Sequence, residues 1–134
     1  MLLQSDIFKH LRLYWFDYLE KELHAILLVP EYEMMVDEDA PSIAAMEFRE
    51  ERLTPLIRLC ERIWSELPVY MVQSSLENGG AASLSQIAEG CAPQAWPFAI
   101  VPADLADKVR AVSPEVESSL MANNGVLLVD RRMF

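Results

Sequence analysis

Apolar residues recur at spacings of three and four between Leu56 and Leu67. Leu56, Ile57, Cys60, Ile63, Trp64 and Leu67 form one stripe, with Arg58, Glu61, Arg62 and Glu66 on the other side. The spacing predicts a helix over about 54–67. Thr54 is suited to cap it, and Pro55 fits the first helical position, where a missing N–H has no partner to lose. Pro68 stops the helix, and Val69, Tyr70, Met71 and Val72 follow as an apolar run of strand length.

The same reading extends to the rest of the chain. Ile7, Phe8, Leu11, Tyr14, Trp15, Tyr18 and Leu19 fall on one side of a helical wheel, which predicts a helix over about 7–23 capped by Ser5 or Asp6. Leu13, Phe16 and Leu23 fall off that stripe. Phe8, Tyr14, Trp15, Phe16 and Tyr18 crowd this one element, in a chain whose aromatics are three Trp, four Tyr and five Phe. One core face does not need so many. Either a second layer of the domain covers Leu13 and Phe16, or another molecule does.

His24 to Val29 is a continuous apolar run that predicts a strand buried on both faces, ended by Pro30. Asp39 and Pro41 mark a helix start, and the helix formers Ala44, Ala45, Met46, Glu47 and Arg49 favour its continuation, although 42–48 also suits an edge strand. In the glycine-bearing segment after Val72, Ser83 and Gln86 form a capping-box pair opening a short helix that Gly90 closes. Trp96 to Val101 predicts a strand, 102–112 a helix, and Ser113 with Pro114 a second helical segment to Met121. Asn123, Asn124 and Gly125 end that segment, and Val126 to Val129 is the last strand.

Strands near 24, 69, 96 and 126 thus alternate with helices. That order predicts a single small α/β domain over 1–134, with a mainly parallel sheet of about four strands, helices on both faces and an aromatic-rich N-terminal helix. A mixed sheet with one antiparallel edge also fits. At 134 residues and 52% hydrophobic content the chain suits one folded core. Its apolar runs are strand-sized, so neither a membrane span nor a secretory signal is expected, and a soluble cytoplasmic protein is.

Charge sharpens the picture. The net charge is −10, and the stretch from Pro30 to Glu51 carries Glu31, Glu33, Asp37, Glu38, Asp39, Glu47, Glu50 and Glu51 against Arg49 alone. Such a field repels nucleic-acid phosphates and anionic lipid, and it favours a basic protein partner or a cation. A solvated acidic face that aids solubility is the plain alternative.

Candidate chemistry is sparse. Beyond the ends of predicted strands lie the acids Glu31 to Asp39, with Ser74, Ser75, Glu77, Asp104 and Asp130, where carboxylates could hold Mg²⁺. No motif organises them. Asn78, Gly79 and Gly80 have neither the spacing nor the lysine of a phosphate loop, and Ser74 and Ser75 lack the GxSxG elbow. His10, His24, Cys60 and Cys91 do not fall at zinc spacing. No cofactor and no metal site is expected, and both cysteines read as reduced.

The order of helix, strand, PLIRLCERIW helix and VYMVQSS strand resembles the psi accessory subunit of bacterial clamp loaders. The VYMVQSS strand with the SLSQIAEGC helix resembles the effector adaptors of type VI secretion, whose histidine–leucine–arginine signature this chain lacks. Each likeness covers less than half of the chain and assigns no residue a role.

The leading expectation is a non-catalytic, acidic protein-interaction protein that binds a basic protein, as an immunity or inhibitor protein or as a chaperone or adaptor of a secreted protein. Its partner-binding residues would be Glu31, Glu33, Asp37, Glu38 and Asp39, together with Leu13 and Phe16. An accessory subunit of a larger complex, a small Mg²⁺-dependent enzyme built on the strand-end acids, and a homodimer remain open beside it.

Overall fold

A computed structural model of the chain describes residues 12–18, 22–36, 41, 46–75 and 81–133. It divides into two compact units, residues up to Pro55 and Leu56–Met133.

The first unit holds a two-stranded antiparallel sheet of β1 (Arg12–Tyr18) and β2 (Glu22–Leu28), in register from Arg12 opposite Leu28 to Tyr18 opposite Glu22. The predicted N-terminal helix is therefore replaced, over its described residues, by a hairpin. RLYWFDY is dense in aromatic residues, which prefer the pleated strand surface, and so many apolar neighbours satisfy a helical template by crowding alone. A single turn, α1 (Glu31–Met34), follows. Met35 then bridges Phe48 in antiparallel fashion, Val36 N–H donates to the Glu47 carbonyl at 2.9 Å, and Arg49 N–H donates to that of Met34 at 2.7 Å. Of the two readings of 42–48, Met46 to Phe48 are thus not helical, while 42–45 lie outside the described residues.

Helix α2 (Glu50–Glu66) begins four residues before the predicted Thr54 cap, so Pro55 stands inside it rather than at its first position. Glu50 and Glu51 in the first turn suit the positive end of the helix dipole. Pro55 supplies no N–H to the carbonyl of Glu51, but Glu51 is exposed and water can serve that group. The core stripe reaches back to Leu53: Leu53, Cys60 and Trp64 are buried, and Leu56, Ile57 and Ile63 are half-buried.

The second unit carries a four-stranded sheet in the order β3 (Val72–Gln73), β4 (Phe98–Pro102), β6 (Gly125–Asp130), β5 (Val116–Met121). Every neighbouring pair is antiparallel, which overturns the mainly parallel sheet. Two departures combine: β3 meets β4 antiparallel even though the short helix Leu84–Ala88 lies between them in the chain, and the segment 113–121 is not helical. Ser-Pro followed by two glutamates imitates a helix start, yet Val116 to Met121 is a strand. It turns through Asn123 and Asn124, whose φ angles of 55° and 56° are those of a type I′ hairpin turn, closed by Gly125 N–H on the Ala122 carbonyl. β6 comes back between β5 and β4, antiparallel to both. β4 and β5 still run the same way, joined by α4 (Ala103–Val112), but as the outer strands of a split βαβ unit.

β4 and β6 are buried along nearly their whole length. On one face Ala99, Val101, Val126 and Leu128 pack with Ile87 of α3 (Leu84–Ala88) and with Leu105, Ala106 and Val109 of α4. The other face presents Phe98, Ile100, Leu127 and Val129, also buried. At the end of that face stands Gly125, where an ideal Cβ would lie only 2.6 Å from the indole nitrogen of Trp64. Glycine is required there because the indole occupies the space. The indole N–H in turn donates to the Ala122 carbonyl at 2.9 Å, so α2 and the β5–β6 turn are locked together.

The capping box predicted at Ser83 and Gln86 is present in both directions. Gln86 N–H donates to Ser83 Oγ, and Ser83 N–H donates to Gln86 Oε1 at 2.8 Å.

Candidate functional site

In the first unit a cleft of about 400 Å³ is lined by Val36, Glu47, Phe48, Arg49, Glu50 and Glu51. Its construction follows from the bridge between Met35 and Phe48, which brings the end of the α1 segment against the start of α2. Phe48 is buried, Val36 is 53% exposed, and Glu47, Glu50 and Glu51 are all exposed. Arg49 also lines the cleft; its Nε donates to the Met35 carbonyl at 2.8 Å and holds the bridge closed, and its charge offsets one of the three carboxylates. The result is an apolar side chain, open to solvent, beside three carboxylates and one guanidinium, a net negative rim.

The residues singled out from the sequence are dispersed. Glu31 and Glu33 lie on α1, and Glu33 is half-buried. Asp37, Glu38 and Asp39 lie outside the described residues. Leu13 and Phe16 lie on β1, opposite Leu27 and His24, so the helical wheel that set them apart does not apply. Glu47, Glu50 and Glu51, counted in the acidic stretch but not chosen as site residues, are the acids that share a cleft. Their count was visible in sequence; the pairing that gathers them was not.

The strand-end groups of the second unit have structural tasks. Ser74 Oγ accepts from Phe98 N–H at 2.9 Å and donates to the Phe98 carbonyl, extending the β3–β4 ladder. A hydroxyl occupied twice by backbone is not poised as a nucleophile. Asp130 is buried, and Arg132 donates to both of its oxygens, Nε to Oδ1 at 2.9 Å and Nη2 to Oδ2 at 2.6 Å. Hydrogen bonds from Arg132 hold this carboxyl below the usual range despite its burial. The pair pins the 3-10 turn Arg131–Met133 to the end of β6. Ser74 and Asp130 stand at the same end of the sheet, both bonded to the Pro97–Phe98 backbone, whereas the exposed Asp104 lies at the other end of β4, in the first turn of α4. Glu77 lies outside the described residues. Among the described residues no group of three or more His, Cys, Asp or Glu is placed to hold a metal ion.

A residue that sequence reading passed over is Gln73. Its Oε1 accepts from Ala82 N–H at 3.1 Å and Gln94 N–H at 2.7 Å, and its Nε2 donates to the Ala82 carbonyl at 2.9 Å. The side chain imitates a strand neighbour and anchors the loop that leads into α3. A lone glutamine carries no sequence signal for such a role.

The cysteines differ sharply. Burial pushes the Cys60 thiol up to about 12, with the neighbouring Glu61 carboxylate adding to the shift, while Cys91 is exposed. Because the thiolate is the reactive form, Cys60 stays inert at neutral pH. In the native protein an alkylating reagent at pH 8 is expected to modify Cys91 alone within minutes, and Cys60 only after denaturant is added. Mass spectrometry of the peptides checks this, and equal labelling of both in the native state would contradict the burial.

A second groove, of about 310 Å³, lies in the other unit between Trp64, Leu67, Pro68, Val69, Tyr70, Pro102, Asn123 and Asn124. Tyr70 and Leu67 are half-exposed at its lip. No family model, no curated protein sequence and no solved structure matches this chain.

Proposed function

We propose that this chain is a non-catalytic, acidic protein-binding protein that engages a basic protein through the first unit, acting in the cytoplasm as an immunity or inhibitor protein or as a chaperone or adaptor of a secreted protein. The observation that carries the reading is the cleft in which Val36 stands exposed beside Glu47, Glu50 and Glu51. An apolar contact ringed by carboxylates suits a basic surface that offers an aliphatic or aromatic anchor between Lys or Arg side chains. The wider charge agrees: −10 overall, concentrated in the stretch that includes this cleft. A field of that sign draws a basic partner in and turns nucleic acid and anionic lipid away. Among the described residues, no helix is long and apolar enough to cross a membrane.

Capture from the lysate of the native host tests the reading. The intact protein is immobilised beside a Glu47→Gln, Glu50→Gln, Glu51→Gln variant, and retained proteins are identified by mass spectrometry. One stoichiometric basic protein held by the native chain and reduced at least about tenfold on the variant is the expected result, since removing rim charges slows encounter by that order. Equal retention on both would remove the cleft from the proposal.

A further inference from the structure

Among the described residues, the strand order leaves β5 at the edge of its sheet, paired with β6 alone. Which of its backbone groups face outward follows from the ladder. Asp130 N–H donates to the Pro97 carbonyl and Ala103 N–H to that of Asn124, so even-numbered residues of β6 turn their polar groups toward β4 and odd-numbered ones toward β5. Gly125, Leu127 and Val129 therefore bond Met121, Ser119 and Glu117. Ser118 and Leu120 turn their N–H and C=O groups away from the sheet. Both residues are exposed, Leu120 at 90%. An open row of this kind is a template for another strand.

The chemistry at this edge fits a second copy. Glu117 is paired with Arg131 at 3.0 Å and Asp130 with Arg132 at 2.6 Å, which leaves Glu115, among the described residues, as the one acid here without an arginine of its own to offset it, far less local charge than the chain's net −10. Copies that repel elsewhere can approach here. The edge is lightly guarded: VESSLM has no lysine and no proline, and its one charge, Glu117, is paired with Arg131.

We propose that β5 is a self-association edge, along which a second copy docks antiparallel and joins the two four-stranded sheets into one. The twofold axis passes through Ser118. In that register Ser118 exchanges both backbone bonds with its counterpart, and each Leu120 N–H reaches the Val116 carbonyl of the other copy. Leu120 then lies opposite Val116, which already packs on the core, and Glu117 lies opposite Ser119, whose hydroxyl can donate to it. Shifting the axis to Ser119 would set Leu120 against Ser118 and leave it without an apolar neighbour.

Sedimentation velocity over micromolar to millimolar concentration, with amide exchange by NMR at both ends of that range, tests this. The expected result is a mass rising from one chain to two, with the Ser118 and Leu120 amides slowed at least about tenfold at high concentration and those of Glu117, Ser119 and Met121 slow throughout. Leu120→Pro removes only an outward N–H, and Leu120→Lys adds a charge to the edge. Either is expected to give a single-chain mass with an unchanged near-ultraviolet circular dichroism spectrum. A single-chain mass at every concentration, a dimer that survives both variants, or Ser118 and Leu120 amides indifferent to concentration would each overturn the proposal. So would an edge occupied only by a strand of another protein.

Discussion

Replacing Trp64 by alanine is expected to cost about 3–5 kcal/mol, a large part of the stability of a domain this size. The indole is buried on the end of β6, and its N–H is bonded to the Ala122 carbonyl. Truncation removes that packing and one of the two donors on the Ala122 carbonyl, which keeps Gly125 N–H. The partner position gives the sharper test. Gly125→Ala places a methyl where the indole already lies, 2.6 Å from its nitrogen, and should cost about 1–3 kcal/mol on its own. With Trp64 truncated the same methyl finds space. Urea denaturation of the two single variants and the double variant should therefore show a double-variant loss well below the sum of the singles. Additive losses would mean that the indole does not occupy the glycine's space.

The second large effect is expected at Gln73. Gln73→Leu keeps the volume but leaves Ala82 N–H, Ala82 C=O and Gln94 N–H without the side chain that serves them. Partial exposure lets water replace some of these bonds, so the expected loss is about 2–3 kcal/mol rather than the full penalty for three orphaned groups. The loss should be local as well as global. Amide exchange at Ala82 and Gln94 should speed up more than at Ile100 or Leu128 in the sheet centre. Uniform acceleration would make Gln73 an ordinary surface residue of β3.

These two residues mark what the sequence could and could not disclose. Trp64 was legible, because a stripe from Leu56 to Leu67 at helical spacing places it inward whatever lies opposite. The capping box at Ser83 and the buried run at Val126 were legible for the same reason: each is a local pattern with a local physical cause. Gln73 was not, since nothing in a glutamine's own neighbourhood announces that it will stand in for a strand. Strand direction failed at two places: β3 runs antiparallel to β4 although α3 lies between them, and the segment after α4 is a strand. Ser113, Pro114, Glu115 and Glu117 look like the opening turn of a helix, and once that segment is read as helix the return to Val126 becomes a crossover and the sheet becomes parallel. The competing signal was present in Asn123–Asn124, residues that accept positive φ and favour a hairpin. An exposed edge strand lacks the apolar contrast that would have decided between them.

The first hairpin was misread in the opposite way. From Leu13 to Tyr18 nearly every residue is apolar, so the pattern has no polar phase from which to read a period. For the candidate site, composition located the acids and topology sorted them. Glu47, Glu50 and Glu51 share a cleft because Phe48 pairs with Met35 before α2 begins, a contact between positions that no local pattern connects.

The association rate of the captured partner, followed by stopped-flow fluorescence from about 20 to 500 mM salt, tests the central claim most directly. For an acidic protein that steers in a basic one, the rate should fall by more than about tenfold across that range, as screening shortens the reach of the field. The variant with Glu47, Glu50 and Glu51 changed to Gln should start lower and converge on the native curve at high salt. A rate at low salt that is the same for the native protein and the variant would contradict the claim that this cleft receives the partner.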